Sequence, residues 1–211
     1  MRRLLRRPET GTTGDPGPST LPLRLALSGH RGVPRLLLSM QEESAARGVG
    51  HAVAKMDRRL PLRELQDLNE FGRLQALHEA AVECLFVGEL DTLTPGMRAL
   101  AVLFAVVGDI DNGGFEACMY GVSGDWIGEA IVAARLVGAD AHAAVLSRFV
   151  DVALGGDGTL TAEERAERLE AMSEGEAAAL ERLDDEFYAL PPIDQALTKY
   201  VDDHLSEFVR D

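Results

Sequence analysis

TPGMRALAVLFAVVGDIDNGG, residues 94–114, is the stretch whose reading decides the fold. Thr94 offers a hydroxyl N-cap and Pro95 occupies the first helical position, where its missing N–H costs nothing. The run Ala99 to Val107 is apolar nearly all round, as a helix enclosed by other helices must be. Asn112-Gly113-Gly114 then predicts its end, because consecutive glycines reach backbone conformations that other residues resist. A central buried helix requires a shell, and the flanking sequence supplies only helices.

Upstream, Leu62, Leu65, Leu74, Leu77, Ala81 and Leu85 recur at three- and four-residue spacing, with a break expected near Phe71-Gly72 and a stop at Gly88. Downstream, a short helix carries Phe115, Met119 and Tyr120. Ser123-Gly124-Asp125 reads as a capping signal for a helix from Trp126 to Val137 that stops at Gly138. Asp140 reads as the cap of the next helix, to about Leu154, before Gly155-Gly156. Thr161 with Glu164 and Ser173 with Glu176 each fit the capping box, so two more helices follow. After Pro191-Pro192 a last helix places Ile193, Leu197, Tyr200, Val201, His204 and Phe208 on one face. No stretch alternates with period two for long enough to support a strand. The fold class is therefore all-α, a compact multi-helix domain with short Gly/Pro-containing turns.

Charge is unevenly distributed. The 211 residues carry a formal net charge of -14, from 21 basic and 35 acidic residues. Residues 1–39 hold seven arginines against Glu9 and Asp15, a net of +5, so the remainder carries -14 minus 5, or -19. This opening stretch, rich in Arg, Pro and Gly and without helical periodicity, reads as a disordered leader or an over-extended gene start before Met40; residues 40–60 read as a linker and 61–211 as the domain. Excess negative charge opposes nucleic acid and anionic membranes as direct partners and favours basic proteins. The longest apolar run, nine residues, is about half of what a spanning helix needs. Cys84 and Cys118 form no Cys-x-x-Cys pair and are expected to be buried, which suits a reducing, cytoplasmic setting.

Motifs that could carry chemistry are sparse. Asp157-Gly158-Thr159-Leu160-Thr161-Ala162-Glu163-Glu164 imitates the second half of a calcium loop, but the first-half positions fall on Ala153 and Gly155, which offer no side-chain oxygen. His78-Glu79 with Glu83 lacks the second histidine of a zinc motif. No metal, no cofactor and no catalytic residue is expected. Asp109, Asp111 and Asp125 around the glycine turn could form a carboxylate site, though turn capping accounts for each. The acidic pattern is more informative. At about 100° per residue, Glu163, Glu167, Glu170 and Glu174 share one stripe if their helix continues that far. Glu181, Asp184, Asp185, Glu186, Asp202, Asp203 and Glu207 extend it, while Glu164 facing Arg168 is a mixed pair.

Five segments together resemble a known family: Leu93-Thr94-Pro95-Gly96, Asp109-Ile110-Asp111-Asn112-Gly113-Gly114-Phe115, Ser123-Gly124-Asp125, Ala134-Arg135-Leu136-Val137-Gly138-Ala139 and Leu183-Asp184-Asp185-Glu186-Phe187-Tyr188. From Leu93 to Phe208 the chain is similar to a bacterial family of all-helical proteins named after the C-terminal domain of a Neisseria DNA-mimic protein. Ala117-Cys118-Met119 and Tyr120-Gly121-Val122 depart from its pattern. The resemblance implies an acidic homodimer that occupies the DNA-binding surface of a basic partner such as a helix-turn-helix regulator. Two other readings stay open: an enzyme using the Asp109/Asp111/Asp125 region, or an inhibitor or immunity protein against a basic toxin.

Overall fold

Residues Pro95–Tyr120 form one long helix, α4, around which the other elements pack. The computed structural model describes residues 57–211, so the leader and all of the linker before residue 57 lie outside the described residues. In chain order the helices are α1 (Leu62–Leu65), α2 (Glu70–Ala81), α3 (Glu83–Val87), α4, α5 (Ile127–Leu136), α6 (Asp140–Ala153), α7 (Ala162–Glu170), α8 (Glu174–Tyr188) and α9 (Ile193–Asp203). Three 3-10 turns, Leu90–Thr92, Val122–Trp126 and Leu205–Glu207, join them. The all-α expectation holds, with one addition. Two-residue strands β1 (Leu60–Pro61) and β2 (Val209–Arg210) pair in parallel and tie the two ends of the described segment together. Arg59 adds a hydrogen bond to the Ser206 carbonyl, so the fold takes in residues before Pro61. No helix among the described residues is long and apolar enough to cross a membrane.

The start of α4 forms as its sequence predicts, and the tail completes it. The Thr94 hydroxyl accepts from the Met97 N–H at 3.3 Å and donates to the Glu207 carbonyl at 2.7 Å. The Glu207 carboxylate accepts the Gly96 N–H at 2.6 Å and the Tyr200 hydroxyl at 3.1 Å. A Cβ at Gly96 would lie 2.5 Å from the Phe208 ring, which is why only glycine fits there. Met97, Leu100, Leu103, Val106 and Ile110 are fully buried along α4.

Gly113 and Gly114 break the helical backbone inside α4, as expected, but the chain resumes a helix at once. Gly114 adopts φ 70 and ψ -170, open to glycine and strained for other residues. The break releases the Phe115 N–H, and the Asp184 carboxylate on α8 accepts it at 2.7 Å. Asp184 thus acts as an N-cap in trans for the second half of α4. A Cβ on Gly114 would fall 2.6 Å from the same carboxylate. Below it, Phe115 stacks on Phe149 of α6 at 4.5 Å and meets Phe187 of α8 edge-on at 5.6 Å.

Several local expectations are corrected. The break near Phe71-Gly72 lies earlier: Asn69 caps α2 by accepting the Gly72 N–H at 2.8 Å, so both residues belong to its first turn. Asp140 is the first residue of α6 rather than its cap, and Ala139 precedes it without a side-chain cap bond. Ser123-Gly124-Asp125 forms a 3-10 turn that caps nothing. Helix α9 ends at Asp203, leaving His204 exposed while Phe208 is buried from the tail. Gly88 and Gly138 end α3 and α5 with positive φ, and both capping boxes, Thr161/Glu164 and Ser173/Glu176, form. Cys84 and Cys118 are buried free thiols, and burial pushes Cys118 up to about 11.

Asp184→Ala is expected to lower stability by about 1–2 kcal/mol, read as a fall in Tm, because the Phe115 N–H loses its cap. A second expectation concerns pH. Hydrogen bonds from the Ser173 backbone and hydroxyl, with Arg168 beside it, hold the Glu176 carboxyl at about 2 against an ordinary 4.5. A depressed folded value stabilises the fold above the unfolded value, and that contribution is lost as pH falls from about 4.5 toward 2. Ser173→Ala should move the Glu176 titration, followed by NMR, back toward 4.5 and flatten the stability loss over that window.

Candidate functional site

The acidic residues of the C-terminal half divide by what they touch. Helix α7 is fixed by Arg165, which is 1% exposed although it carries a full charge. Its Nε donates to the Met119 carbonyl at 3.1 Å, Nη1 to the Leu160 carbonyl and to Asp125, both at 2.7 Å, and Nη2 to the Gly121 carbonyl at 3.0 Å. A Cβ on Gly124 would fall 2.5 Å from Arg165 Nε and 2.5 Å from the Cys118 carbonyl. Ser123-Gly124-Asp125 is thus the seat of a buried guanidinium. Asp125 neutralises it, and Ser123 donates to Asp109 at 2.5 Å.

Asp109 and Asp125 therefore serve packing, and turn capping explains neither. Gly121 belongs to the same device: a Cβ there would meet Asp109 Oδ2 at 2.5 Å. Among the described residues no group of three or more His, Cys, Asp or Glu is placed to hold a metal ion. Asp157 accepts from the Thr159 N–H at 2.9 Å and hydroxyl at 2.6 Å, forming a turn that leads into the α7 capping box. His78 packs its ring on Phe104 at 4.8 Å, and burial pushes its pKa down.

With Arg165 pointing inward, residues two and five positions away must point out. At about 100° per residue, Glu163, Glu167 and Glu170 lie roughly 140–160° around the helix from Arg165. All three are exposed. The stripe does not run on through Glu174 as one helix: α7 ends at Glu170 and Glu174 opens α8. Arg168 pairs with Glu176 at 2.6 Å across that junction, while Glu164 closes its own capping box, which replaces the expected Glu164–Arg168 pair.

Of the remaining candidates, Glu181 and Asp185 are exposed on α8. Among the described residues neither they nor Glu163, Glu167, Glu170 and Glu174 form an ion pair. Asp202 pairs with Arg73 at 2.8 Å, Asp203 with Lys199, and Glu186 with Arg148. Asp184 and Glu207 are half-buried caps of α4. Burial pushes the Asp184 carboxyl above its ordinary value; the Phe115 N–H acts against this, and the charges of Asp185, Glu116 and Glu181 add to the rise. Those causes locate a residue that sequence reading passes over. Glu116, exposed beyond the glycine break, joins Glu181 and Asp185 around Asp184 in one negative cluster.

Arg165 is the other residue missed, since an arginine among glutamates on a polar helix looks like an ordinary surface pair. The segments resembling the family have structural work at each place: Gly96 beneath Phe208, Gly114 beneath Asp184, Gly124 beneath Arg165, Gly138 at the α5 terminus, and Tyr188 donating to the Ile110 carbonyl at 2.6 Å.

Arg165→Met is expected to cost about 1–3 kcal/mol, since it leaves the Met119, Leu160 and Gly121 carbonyls without their donor while Asp125 stays half exposed to water. Changing Glu163, Glu167 and Glu170 together to Gln should leave Tm nearly unchanged, because relief of their mutual repulsion is offset by the loss of a favourable charge at Glu163 in the first turn of α7. Thermal denaturation of the two variants side by side checks the division of roles.

No curated protein and no solved structure matches the chain. Residues 91–204, more than half of the 211, match the family described as DMP19-like protein. All five segments that build the turns and caps around α4 lie inside that match, and the chain belongs to the DMP19-like family.

Proposed function

We propose that this chain is an acidic protein-binding module that acts as a DNA mimic, occupying the DNA-binding surface of a basic protein such as a helix-turn-helix regulator. One observation carries the reading: Glu163, Glu167, Glu170, Glu174, Glu181 and Asp185 form no ion pair among the described residues and remain exposed on two consecutive helices. Neighbouring carboxylates one helical turn apart lie about 5–6 Å from each other, comparable to the charge spacing along a nucleic-acid strand. Membership of the DMP19-like family supports it, given the DNA-mimic resemblance carried by the same segments.

The physics of such a surface is electrostatic. Residues 57–211 carry a net charge of -19, from 12 basic and 31 acidic residues. A field of that sign speeds encounter with a cationic groove and weakens as salt screens it, with a Debye length of about 8 Å at physiological ionic strength. The partner-facing set is expected to be Glu163, Glu167, Glu170, Glu174, Glu181 and Asp185, joined by Glu116. Asp202, Asp203, Asp184 and Glu207 contribute field but are engaged by Arg73, Lys199, the Phe115 N–H and the Gly96 N–H.

Capture from a cell lysate on the immobilised chain, repeated with excess duplex DNA, tests the reading. DNA-binding proteins should be retained, displaced by duplex, and lost when Glu163, Glu167, Glu170 and Glu174 are changed together to Gln. Retention of proteins that bind no DNA, or capture that duplex leaves unchanged, would show that the surface does something else.

A further inference from the structure

Tyr120 closes α4 with its side chain in water. It is 56% exposed, more than any other Phe, Tyr or Trp among the described residues. The other two tyrosines are held in place. Tyr188 donates to the Ile110 carbonyl at 2.6 Å and meets the Phe187 ring edge-on, while Tyr200 donates to Glu207 at 3.1 Å and stacks on His204. Tyr120 has no hydrogen bond, no ring contact and no stacked cation among the described residues, so nothing in the fold engages its ring.

The neighbours of that ring are carboxylates. Glu116 stands one helical turn before it, and side chains four apart on a helix share a face, with about 5–6 Å between their Cβ atoms. The backbone is helical again from Phe115 to Tyr120, so the relation holds beyond the glycine break. Glu116 is exposed and forms no ion pair among the described residues. Its charge acts on Asp184 together with those of Glu181 and Asp185. On the other side, Arg165 of α7 donates to the carbonyls of Met119 and Gly121, the residues flanking Tyr120. The ring is therefore placed where the end of α4 meets both acidic helices, α7 through Arg165 and α8 through the cluster around Asp184.

The chemistry of this place selects among partner side chains. An apolar side chain laid on the ring takes the nearby Glu116 carboxylate out of water without a partner, which is costly. A lysine ammonium pairs with Glu116, but it is compact and strongly hydrated and has no flat face to set against a ring. A guanidinium does both at once: its plane stacks on the ring while N–H groups in that plane reach the carboxylate beside it.

We propose that Tyr120 and Glu116 together form a receptor for an arginine side chain of the basic partner, so that the acidic face selects arginine over lysine. The proposal rests on the reading of α7 and α8 as a surface for a basic protein, and it names the side chain that this surface grips.

Titration of the full chain with hexa-arginine and with hexa-lysine at low salt tests it, with affinities from calorimetry and the Tyr120 ring signals followed by NMR. The loss of those signals in Tyr120→Leu assigns them. Hexa-arginine should shift the ring signals and bind at least about threefold more tightly than hexa-lysine. Tyr120→Leu should weaken hexa-arginine at least about threefold and leave hexa-lysine nearly unchanged, Tyr120→Phe should keep the wild-type preference, and Glu116→Gln should weaken both peptides. An unchanged preference in Tyr120→Leu, or an equal loss for both peptides, overturns the proposal. So does hexa-arginine that fails to bind, or that binds without moving the Tyr120 ring signals. Failure of DNA mimicry looks different: duplex then leaves captured proteins in place while the preference for arginine persists.

Discussion

A single buried guanidinium sets the geometry on which the acidic surface depends. Arg165 would be far too costly to bury unpaired, and its position is tolerable only because Asp125 and three backbone carbonyls consume its donors. Those carbonyls come from the end of α4, the following turn and the approach to α7, so one side chain holds three segments in register. Its planar fork is the reason an arginine can do this and a lysine, a compact point charge, could not. Gly121 and Gly124 leave room for Asp109 and for the guanidinium itself. Turning Arg165 inward turns Glu163, Glu167 and Glu170 outward on the opposite side of α7. The orientation of half of the proposed binding face therefore follows from a residue buried on the opposite side of the helix.

The acidic count of the sequence mixes two populations with different physics. Asp184 and Glu207 act as caps for the two halves of α4, each from an element far away in the chain, and they stitch the C-terminal segment onto the central helix. Glu164 and Glu176 close capping boxes at helix N-termini, where the helix dipole also favours negative charge. The second population is exposed without an ion pair, and like charges one turn apart each cost about 0.2–0.5 kcal/mol. The first population offsets that repulsion locally, so α7 and α8 can display glutamates without unwinding.

Much of the fold was legible in residues 94–114, because a helix apolar on every side can only be central and a Thr-Pro start and Gly-Gly break are backbone chemistry. Both capping boxes were legible for the same reason, their partners being three residues apart. What could not be read was anything whose partner is distant. Asp184 looked like one more surface acid because Phe115, whose N–H it accepts, lies 69 positions away. Ser123-Gly124-Asp125 looked like a cap because nothing nearby in sequence points to Arg165. The boundary between α7 and α8 was legible in the Ser173 capping box, which starts a new helix, although Ala171 and Met172 are good helix formers that give no stop of their own. The tail fooled periodicity too, since Phe208 reaches the core by following a 3-10 turn that no helical wheel extends through.

Family membership and the proposed surface function rest on different residues, and this separates what the fold constrains from what it does not. The matching segments supply Gly96, Gly114, Gly124, Gly138 and Asp184, each fixed by a close approach, a positive φ or a buried N–H. None of the six exposed carboxylates without ion pairs meets such a constraint, not even Asp185, which lies beside Asp184 within a matching segment. A fold held by glycines, a buried arginine and caps can therefore alter its outer carboxylates at little cost in stability. The same logic applies to α5. Within Ala134–Ala139 the inner positions Ala134 and Val137 pack against the core and Gly138 ends the helix, while Arg135 and Leu136 point to solvent and are held by no intrachain contact of that kind.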